Sequence, residues 1–213
     1  MPRPTFFNLP EEKRQKILAA AIAEFAARDY ESASVSRIVI QAGIPKGSLY
    51  QYFDDKRDLH QHLLELALQK KAEMLEAAQS SGPQSTLFER LGWLFETMGR
   101  YEIEHPALAQ IGYRALYGQS PLPEELVAQA RTATLGYFME LIEQGKQHGE
   151  IRPEIDSRTA AFLLTAALTQ LGFHLFATLP PEARQVPAQQ ILQSPETRRI
   201  FDQLMTMLQH GMV

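Results

Sequence analysis

Apolar residues recur three or four positions apart along almost the whole chain, and no segment keeps the strict alternation of a half-buried strand. This period is that of an amphipathic α-helix, so the pattern predicts an all-α protein of about nine helices. The buried stripe of the first predicted helix consists of Ile17, Leu18, Ala21 and Phe25. Asn8 and Glu11 have the spacing of a capping box, which predicts that this helix begins near Asn8–Pro10 and ends near Arg28.

Two short helices follow, and their ends are marked by residues that favour helix termini. Ser34 has the position of an N-cap for a helix over residues 35–42, and Gly43 ends that helix because glycine adopts a positive φ without strain. A four-residue connection leads to a second short helix, which is predicted over residues 47–53. Two short helices joined through a glycine-containing turn are typical of a helix-turn-helix, although this spacing alone is only suggestive.

Longer helices separated by turns are predicted for the rest of the chain. Asp54 and Asp55 can cap a long fourth helix that ends near Gln79. Breaks that contain proline or glycine follow at residues 80–83, 106, 121–123 and 149–153. A further helix is predicted to begin at Ser85. Two apolar helices are predicted near residues 157–179 and 195–211, with a loop between them.

Composition narrows the class of protein only slightly. The chain has 213 residues, of which 45% are hydrophobic and 22% are charged, as in ordinary globular proteins. It has no cysteine, which excludes disulfides and thiolate metal sites and fits a reducing cytoplasm. The net charge is −4, yet residues 1–60 hold 9 Lys+Arg against 8 Asp+Glu and are net +1, whereas the remainder is net −5. Because phosphate binding depends on where cations are placed, the total charge does not exclude a nucleic-acid partner.

The chain shows no sequence feature of a membrane protein. The residues that precede the first charged helix contain no apolar h-region, so no secretory signal is expected. The most apolar stretch, residues 160–179, is interrupted by polar side chains and therefore indicates a buried helix rather than a membrane span. These polar side chains are Thr165, Thr169, Gln170 and His174. We expect a cytoplasmic protein with no membrane partner.

The stretch from residue 42 to residue 59 is specific enough to indicate a family. It reads Ala-Gly-Ile-Pro-Lys-Gly-Ser-Leu-Tyr-Gln-Tyr-Phe-Asp-Asp-Lys-Arg-Asp-Leu. It resembles the DNA-binding signature of the TetR family of bacterial regulators and meets every fixed position of that signature. Residues 149–156 resemble the family's break before its last two helices, and the closing helix is matched by the spacing of Phe201, Leu204, Leu208 and Gly211. Val39 and Ile40 depart from the usual small and polar pair, and Ile40 is expected either to be exposed or to pack on the first helix.

The resemblance implies a division of labour along the chain. Residues 1–55 would form a three-helix DNA-binding domain, and residues 56–213 a helical ligand-binding and dimerisation domain. The implied homodimer joins the last two helices of each subunit in a four-helix bundle. Its two recognition helices would lie about 34–36 Å apart and bind a pseudo-palindromic operator in double-stranded DNA. A small effector would shift the long fourth helix. Because repression is the family's usual mode, this shift is expected to release the protein from its operator.

The short recognition helix offers its outer face and its N-terminal end to the major groove. Leu49 and Phe53 are four positions apart and are expected to face inward. Ser48, Gln51 and Tyr52 are then expected to project outward. Gln51 is the candidate base reader, because its amide can pair bidentately with adenine.

Most other contacts are expected to position the protein on phosphates rather than to specify a sequence. Lys46 lies at the helix N-terminus, where free backbone N–H groups also favour a phosphate. Lys56 is expected to hold another phosphate, as the resemblance implies. The complete set of candidate DNA-binding residues is Ser34, Arg37, Lys46, Gly47, Ser48, Tyr50, Gln51, Tyr52 and Lys56. Of these, Arg37 is the weakest candidate.

Aromatic and sulfur side chains occupy core spacings in the second half of the chain. A packed core explains each of them singly, whereas the resemblance implies that some of them line a mostly apolar ligand cavity. The candidate ligand-binding residues are Trp93, Met98, Tyr101, Tyr113, Tyr117, Phe138 and His174. His174 has the alternative of a core or interface histidine. The expected effector is hydrophobic or aromatic.

Two other classes of function remain as alternatives. An enzyme is disfavoured because the sequence lacks a nucleophile elbow, a P-loop, a Rossmann glycine pattern and an HExxH motif, so no catalytic residue and no cofactor is expected. No metal is expected either, because His60 and His62 are two positions apart and point in different directions on a helix. A helical scaffold that has lost DNA recognition would keep the dimer and the pocket, and the intact signature argues against it.

Overall fold

A computed structural model describes residues 2–79, 86–118, 120–178 and 186–212. Within these ranges the chain forms eleven α-helices and no strand. The helices are α1 (Pro4–Phe7), α2 (Glu11–Ala27), α3 (Val35–Ala42), α4 (Lys46–Leu49), α5 (Lys56–Gln79), α6 (Leu87–Glu104), α7 (Pro106–Tyr117), α8 (Glu124–Gln147), α9 (Ser157–Thr178), α10 (Ala188–Gln193) and α11 (Pro195–Met212). The all-α prediction is confirmed, and the short helices α1 and α10 account for the difference from the nine helices expected.

The helices divide into two compact units. Unit 1 consists of Met1–Lys70 and His105–Val127, and unit 2 consists of Lys71–Glu104 and Ala128–Val213. Each unit is therefore assembled from two separate stretches of chain. The sequence suggests a domain boundary after residue 55, which differs from the boundaries of the two units. That domain boundary stays a prediction.

Unit 1 is built around α2, against which α3 and α7 pack. The apolar stripe predicted for the first helix is buried, with Ile17 and Ala21 fully inaccessible. Helix α7 contributes its own apolar face to this core through Leu108, Ile111 and Ala115. The largest fully buried side chains in this core are Phe6, Ile17, Phe25, Ile38, Phe53, Leu59, Leu63 and Ile111. Helix α7 is therefore an integral part of the unit that carries the short helices α3 and α4.

The start of α2 agrees with the predicted position near Asn8–Pro10, but its cap differs from the prediction. This helix begins at Glu11, directly after Pro10, and no side chain caps it. Asn8 instead ends α1, where its N–H donates to the Pro4 carbonyl at 3.2 Å. The predicted capping box of Asn8 and Glu11 is therefore wrong, because the preceding helix already uses Asn8. The predicted end near Arg28 is confirmed.

Unit 2 is organised around α6, which packs against α9, α10 and α11. A reciprocal capping box starts α6, because Thr86 and Glu89 each accept a hydrogen bond from the other's backbone N–H, at 3.2 and 3.1 Å. The predicted start at Ser85 lies outside the described residues. Side chains with no accessible surface fill the core: Leu91, Phe95, Phe138, Ile142, Ala161, Leu164 and Leu175. The break predicted after residue 149 is confirmed, since Gly149 follows α8 at φ 73°.

The described residues offer neither a membrane span nor a metal site. Across residues 2–79, 86–118, 120–178 and 186–212, no helix combines the length and the apolar character needed to cross a bilayer. The same residues contain no group of three histidine, aspartate or glutamate side chains placed to hold a metal ion. His60 and His62 pack against different aromatic side chains: His60 lies 5.0 Å from Phe25, and His62 lies 5.7 Å from Phe6. They point in different directions, as predicted.

Candidate nucleic-acid interface

Two local signals set the ends of α3. The Ser34 hydroxyl accepts a hydrogen bond from the Arg37 N–H at 3.4 Å, so Ser34 is the N-cap that the sequence predicts. Gly43 ends α3 in the left-handed conformation at φ 66°, where a side chain would be strained. Leu49 and Phe53 face the core of unit 1, being 2% and 1% exposed. Their predicted inward orientation is confirmed, and it anchors the segment from inside.

The recognition segment is shorter than predicted. Regular helix ends at Leu49, and residues 50–53 continue as hydrogen-bonded turns rather than as a helix to Phe53. This segment presents an outer face in which the side chains of Lys46, Tyr50 and Gln51 are exposed and Ser48 is half-buried. Gly47 is exposed as well, and no atom beyond its chain neighbours and helix backbone lies within 4 Å of the place a side chain would take. The outer face therefore presents the ammonium group of Lys46, the phenol of Tyr50, the amide of Gln51 and accessible backbone at Gly47.

Tyr52 does not project outward. Only 6% of this residue is exposed, and its ring lies 6.2 Å from the ring of Phe6. The prediction of an outward Tyr52 is wrong because it extends helical geometry beyond Leu49, whereas the turn rotates Tyr52 into the core beside Phe53. The buried ring of Tyr52 therefore anchors the recognition segment to the core of unit 1.

Lys56 has a role inside unit 1. Its ammonium group donates to the carbonyl oxygens of Tyr30, Glu31 and Ala33 at 2.7, 3.3 and 3.3 Å, and it lies 4.3 Å from the centre of the Tyr30 ring. An ammonium group has three protons, so these carbonyls engage all of its donors. Whereas the sequence predicts a phosphate contact for Lys56, these hydrogen bonds tie the start of α5 to the loop between α2 and α3.

Arg37 likewise has partners within the protein. Its guanidinium donates to a Glu24 carboxylate oxygen at 2.6 and 2.8 Å and to the Ser32 carbonyl at 2.7 Å. Glu24 is 5% exposed and also accepts the Ser34 N–H at 2.8 Å. The hydrogen bond from Arg37 lowers the pKa of Glu24 below its ordinary value of 4.5, against the opposing effect of burial. Arg37 therefore couples α2 to α3, which fits its low rank among the DNA-binding candidates.

Replacing Glu24 by glutamine is expected to lower the free energy of unfolding by about 1–2 kcal/mol at neutral pH, because it removes a charge-assisted hydrogen bond. Since folding depresses the pKa of Glu24, its stabilising contribution is complete above about pH 4.5 and is lost as the pH falls through the lower folded-state value. The difference between Glu24→Gln and the parent protein should therefore shrink on acidification, as measured by urea unfolding at about pH 7 and about pH 3.5. Glu12→Gln is the control, because its ion pair with Lys16 is exposed. A difference that stays constant with pH would contradict the assignment.

An N-terminal arm, Pro2–Phe7, braces the recognition segment and was missed by the sequence interpretation. The Arg3 N–H donates to the Tyr52 carbonyl at 2.8 Å, and the Thr5 hydroxyl donates to the Gln51 carbonyl. Phe6 is 1% exposed, and its ring lies 4.9 Å from that of Phe53. Two signals were available in the sequence: Pro4 at the first position of a possible helix, and the aromatic pair Phe6 and Phe7 shortly after it.

The candidate ligand-binding residues are distributed over both units. Tyr113 and Tyr117 belong to unit 1, where their rings lie 5.2 Å apart and Tyr117 is 42% exposed. The other five belong to unit 2. Three of them are buried, which is consistent with either a core or a cavity wall: Met98, Tyr101 and Phe138. Trp93 is half-buried against that core, whereas the His174 side chain is exposed, so the core alternative for His174 is wrong.

Unit 2 also holds a carboxylate that the sequence interpretation missed. Glu102 of α6 is half-buried, and its carboxylate lies where Gly172 of α9 lacks a side chain. Burial raises the pKa of Glu102 to about 7, although the charge of Lys71 and a hydrogen bond from the Gly172 backbone oppose this rise. The sequence signal for this carboxylate was Gly172, a glycine in the middle of an apolar helix. Glu102 places a titratable group in a mostly apolar interior.

A helix-turn-helix with an exposed polar face, joined in one chain to a second helical unit, defines a DNA-binding transcriptional regulator. Family models match both parts of the chain: "Bacterial regulatory proteins, tetR family" over residues 17–63 and "Tetracyclin repressor-like, C-terminal domain" over residues 85–213. The chain belongs to the TetR family of transcriptional regulators. This membership confirms the predicted class and the prediction that the chain is a regulator rather than an enzyme.

Individual proteins agree with the family assignment. The chain is 28% identical over 159 residues to the HTH-type transcriptional repressor BepR of Brucella suis, which covers 73% of this chain and 76% of BepR. The crystal structure of a TetR family transcriptional regulator from Chloroflexus aurantiacus J-10-FL is 42% identical and superposes with a TM-score of 0.89, covering 100% and 98% of the two chains. AibR, in complex with isovaleryl coenzyme A and operator DNA, shares the fold at 19% identity, a TM-score of 0.68 and coverages of 93% and 98%.

Proposed function

We propose that this regulator is a homodimeric repressor that binds a pseudo-palindromic operator through α3 and α4 and leaves it when a small, largely apolar effector binds. The observation that carries the proposal is the exposed face of Lys46, Tyr50 and Gln51, held on a buried scaffold within the TetR signature. Binding by Lys46 and Tyr50 to phosphates would position the protein, and Gln51 would read a base. The repressor name of BepR supports repression as the mode of action. A protein with this function acts in the cytoplasm.

The proposal is tested by letting the purified protein select its preferred duplex from a randomised DNA pool, together with DNA upstream of its own gene. Gln51→Ala is then expected to relax the preference at one base pair of each half-site by about 1–2 kcal/mol, because the bidentate amide contact is lost. Gln15→Ala is the matched control, since Gln15 lies on α2 and bonds Glu11 at 2.6 Å. Equal losses on every duplex would show that Gln51 does not read a base, and a protein that binds no duplex at low salt would refute the function itself.

The proposed dimer is supported by an apolar face that unit 2 leaves exposed. On α9, Phe162 is 61% and Leu163 is 56% exposed, and on α11 Met207 is 66% exposed. Between these helices lies a groove of about 360 Å³, lined in part by Leu204 and Met207. Exposed apolar patches of this kind mark association surfaces, and a second copy of the same helices is the partner that the family resemblance implies.

Phe162→Glu is expected to raise the dissociation constant of the dimer at least about tenfold, because it places an unpaired carboxylate in the interface. Sedimentation velocity over a range of protein concentrations measures this change. Leu126→Glu is the control, since Leu126 is 52% exposed on α8 and belongs to unit 1. Unchanged self-association of Phe162→Glu would contradict a dimer built on α9 and α11.

The proposed effector binds among the apolar side chains of unit 2. Support comes from the buried Met98, Tyr101 and Phe138 and from AibR, whose structure contains isovaleryl coenzyme A. A panel of short acyl-coenzyme A esters, fatty acids and aromatic compounds is screened by the shift in melting temperature and by release of the selected duplex. A coupling free energy of about 1–3 kcal/mol would change DNA affinity about 5- to 150-fold. A compound that saturates the protein without changing DNA affinity is not the effector.

A further inference from the structure

The recognition segment leaves backbone carbonyl groups that no helix can pair. Helix α4 ends at Leu49 and α5 begins only at Lys56. The carbonyls of Gln51 and Tyr52 lie in the intervening turn, where no N–H group of a continuing helix reaches them. Tyr52 is buried and Gln51 is exposed, so a donor from the protein is needed at the first carbonyl and competes with water at the second. The position of the turn therefore depends on where these donors come from.

Both donors come from the N-terminal arm. The Arg3 N–H donates to the Tyr52 carbonyl, and the Thr5 hydroxyl donates to the Gln51 carbonyl. These contacts join residues that are 46 or more positions apart in the chain. The arm thus holds the main chain of the residue proposed to read a base, and of the residue next to it.

The arm is itself fixed at several points. The Arg3 guanidinium forms an ion pair with Asp54 through its Nε and Nη2 atoms, at 2.8 and 2.7 Å. The ring of Phe6 is buried against Phe53, and the Phe7 carbonyl accepts a hydrogen bond from Arg14 at 3.2 Å. Because these contacts fix the arm at both ends, its hydrogen bonds can hold the turn in one position, which a mobile arm could not do.

We infer that the N-terminal arm is a positioning element for DNA recognition, and that Thr5 and Arg3 orient Gln51 without touching DNA themselves. This inference rests on the proposed function, because it assigns the arm a role in reading the operator. A side chain that must pair bidentately with a base loses its selectivity when its backbone tilts. Removing the brace should therefore weaken discrimination between sequences more than it weakens attraction to phosphates.

The experiment uses two probes: the duplex that the parent protein selects from the randomised pool, and a scrambled duplex of the same length and composition. Thr5→Val removes the hydroxyl and keeps the shape of the side chain. It is expected to reduce the preference for the selected duplex about threefold to tenfold, which corresponds to the loss of one hydrogen bond. Binding to the scrambled duplex should stay unchanged, and the melting temperature should fall by no more than about 2–4 °C, as expected for the loss of one exposed hydrogen bond.

Three further variants make the result decisive. Thr5→Ser keeps the hydroxyl and should preserve the preference. Thr134→Val removes a hydroxyl that bonds the Ala130 carbonyl on α8 and should have no effect on DNA binding. Arg3→Gln breaks the ion pair with Asp54 and should reduce the preference with no change in the salt dependence of binding.

Two outcomes overturn the inference. Equal weakening on both duplexes by Arg3→Gln, with the salt slope reduced by about one unit, would show that Arg3 binds a phosphate directly. A preference that survives Thr5→Val and Arg3→Gln unchanged would show that the arm only packs against the unit. Failure of the parent protein to bind any duplex refutes the proposed function instead, so the two failures are distinguishable.

Discussion

Replacing Lys56 by methionine is expected to lower the free energy of unfolding by about 3 kcal/mol, and to do so without changing the salt dependence of DNA binding. Methionine keeps most of the aliphatic stem but leaves the carbonyls of Tyr30, Glu31 and Ala33 without their donor. A partly buried acceptor that loses its partner is destabilising by about 1–3 kcal/mol, and the cation above the Tyr30 ring is lost as well. Urea unfolding followed by circular dichroism, at one fixed protein concentration, measures this difference.

Lys46→Met is the matched control, and it should give the opposite result. Lys46 is exposed at the start of α4, so the change should leave stability within about 0.5 kcal/mol of the parent. It should weaken binding to every duplex and reduce the salt slope by about one unit, because one phosphate contact is lost. If Lys56→Met instead reduced the salt slope and left stability unchanged, the contacts of Lys56 with the three carbonyls would not describe its role.

Gly172→Ala is expected to lower the free energy of unfolding by about 2–3 kcal/mol, as overpacking does in a filled core. A methyl group at this position would overlap the Glu102 carboxylate and would come within 2.6 Å of the Glu102 Cβ atom. The Cβ atom cannot rotate away, so α6 and α9 would have to separate. The same urea titration measures the loss, and Glu102→Ala in the Gly172→Ala background should restore part of it.

Gly136→Ala provides the control for the intrinsic effect of glycine in a helix. Gly136 lies on an exposed part of α8, with no neighbouring atom within 4 Å of the added methyl group. Alanine should therefore raise stability there by about 0.5–1 kcal/mol, because it is the better helix former. Equal effects at the two glycines would show that the carboxylate of Glu102 does not depend on the space at Gly172.

Features that depend on a few neighbouring residues could be predicted from the sequence. The cap at Ser34, the left-handed Gly43 and the inward Leu49 all follow from helix geometry within α3, α4 and their turn. The family signature lies in the same stretch, so the class of protein and the exposed face of Lys46 and Gln51 could be predicted with it. These features need no knowledge of distant parts of the chain.

Features that depend on distant partners could not be predicted. Lys56 binds carbonyls 23 to 26 positions earlier, and Arg37 pairs with Glu24, 13 positions earlier. A charged residue in a DNA-binding motif gives no sign of such partners, so the sequence predicts phosphate contacts for both residues. The predicted outward orientation of Tyr52 is wrong for a related reason, because the end of α4 depends on the arm and the aromatic core rather than on helix propensity.

The candidate ligand-binding region of unit 2 could likewise be predicted only in part. Core spacing identified Met98, Tyr101 and Phe138 as interior side chains, and they are buried. Spacing could not reveal Glu102, because the space for its carboxylate is created by a missing side chain on another helix. Apolar periodicity predicts which faces are covered, but it does not predict which polar group shares the covered space.

The return of the chain to unit 1 through α7 has a consequence for biosynthesis. Leu108, Ile111 and Ala115 complete a core whose other members come from the first 67 residues. As the polypeptide emerges from the ribosome, the core beneath the recognition segment is therefore incomplete until α7 has been synthesised. A nascent chain arrested before residue 105 would carry the whole helix-turn-helix motif and still lack one wall of its hydrophobic interior.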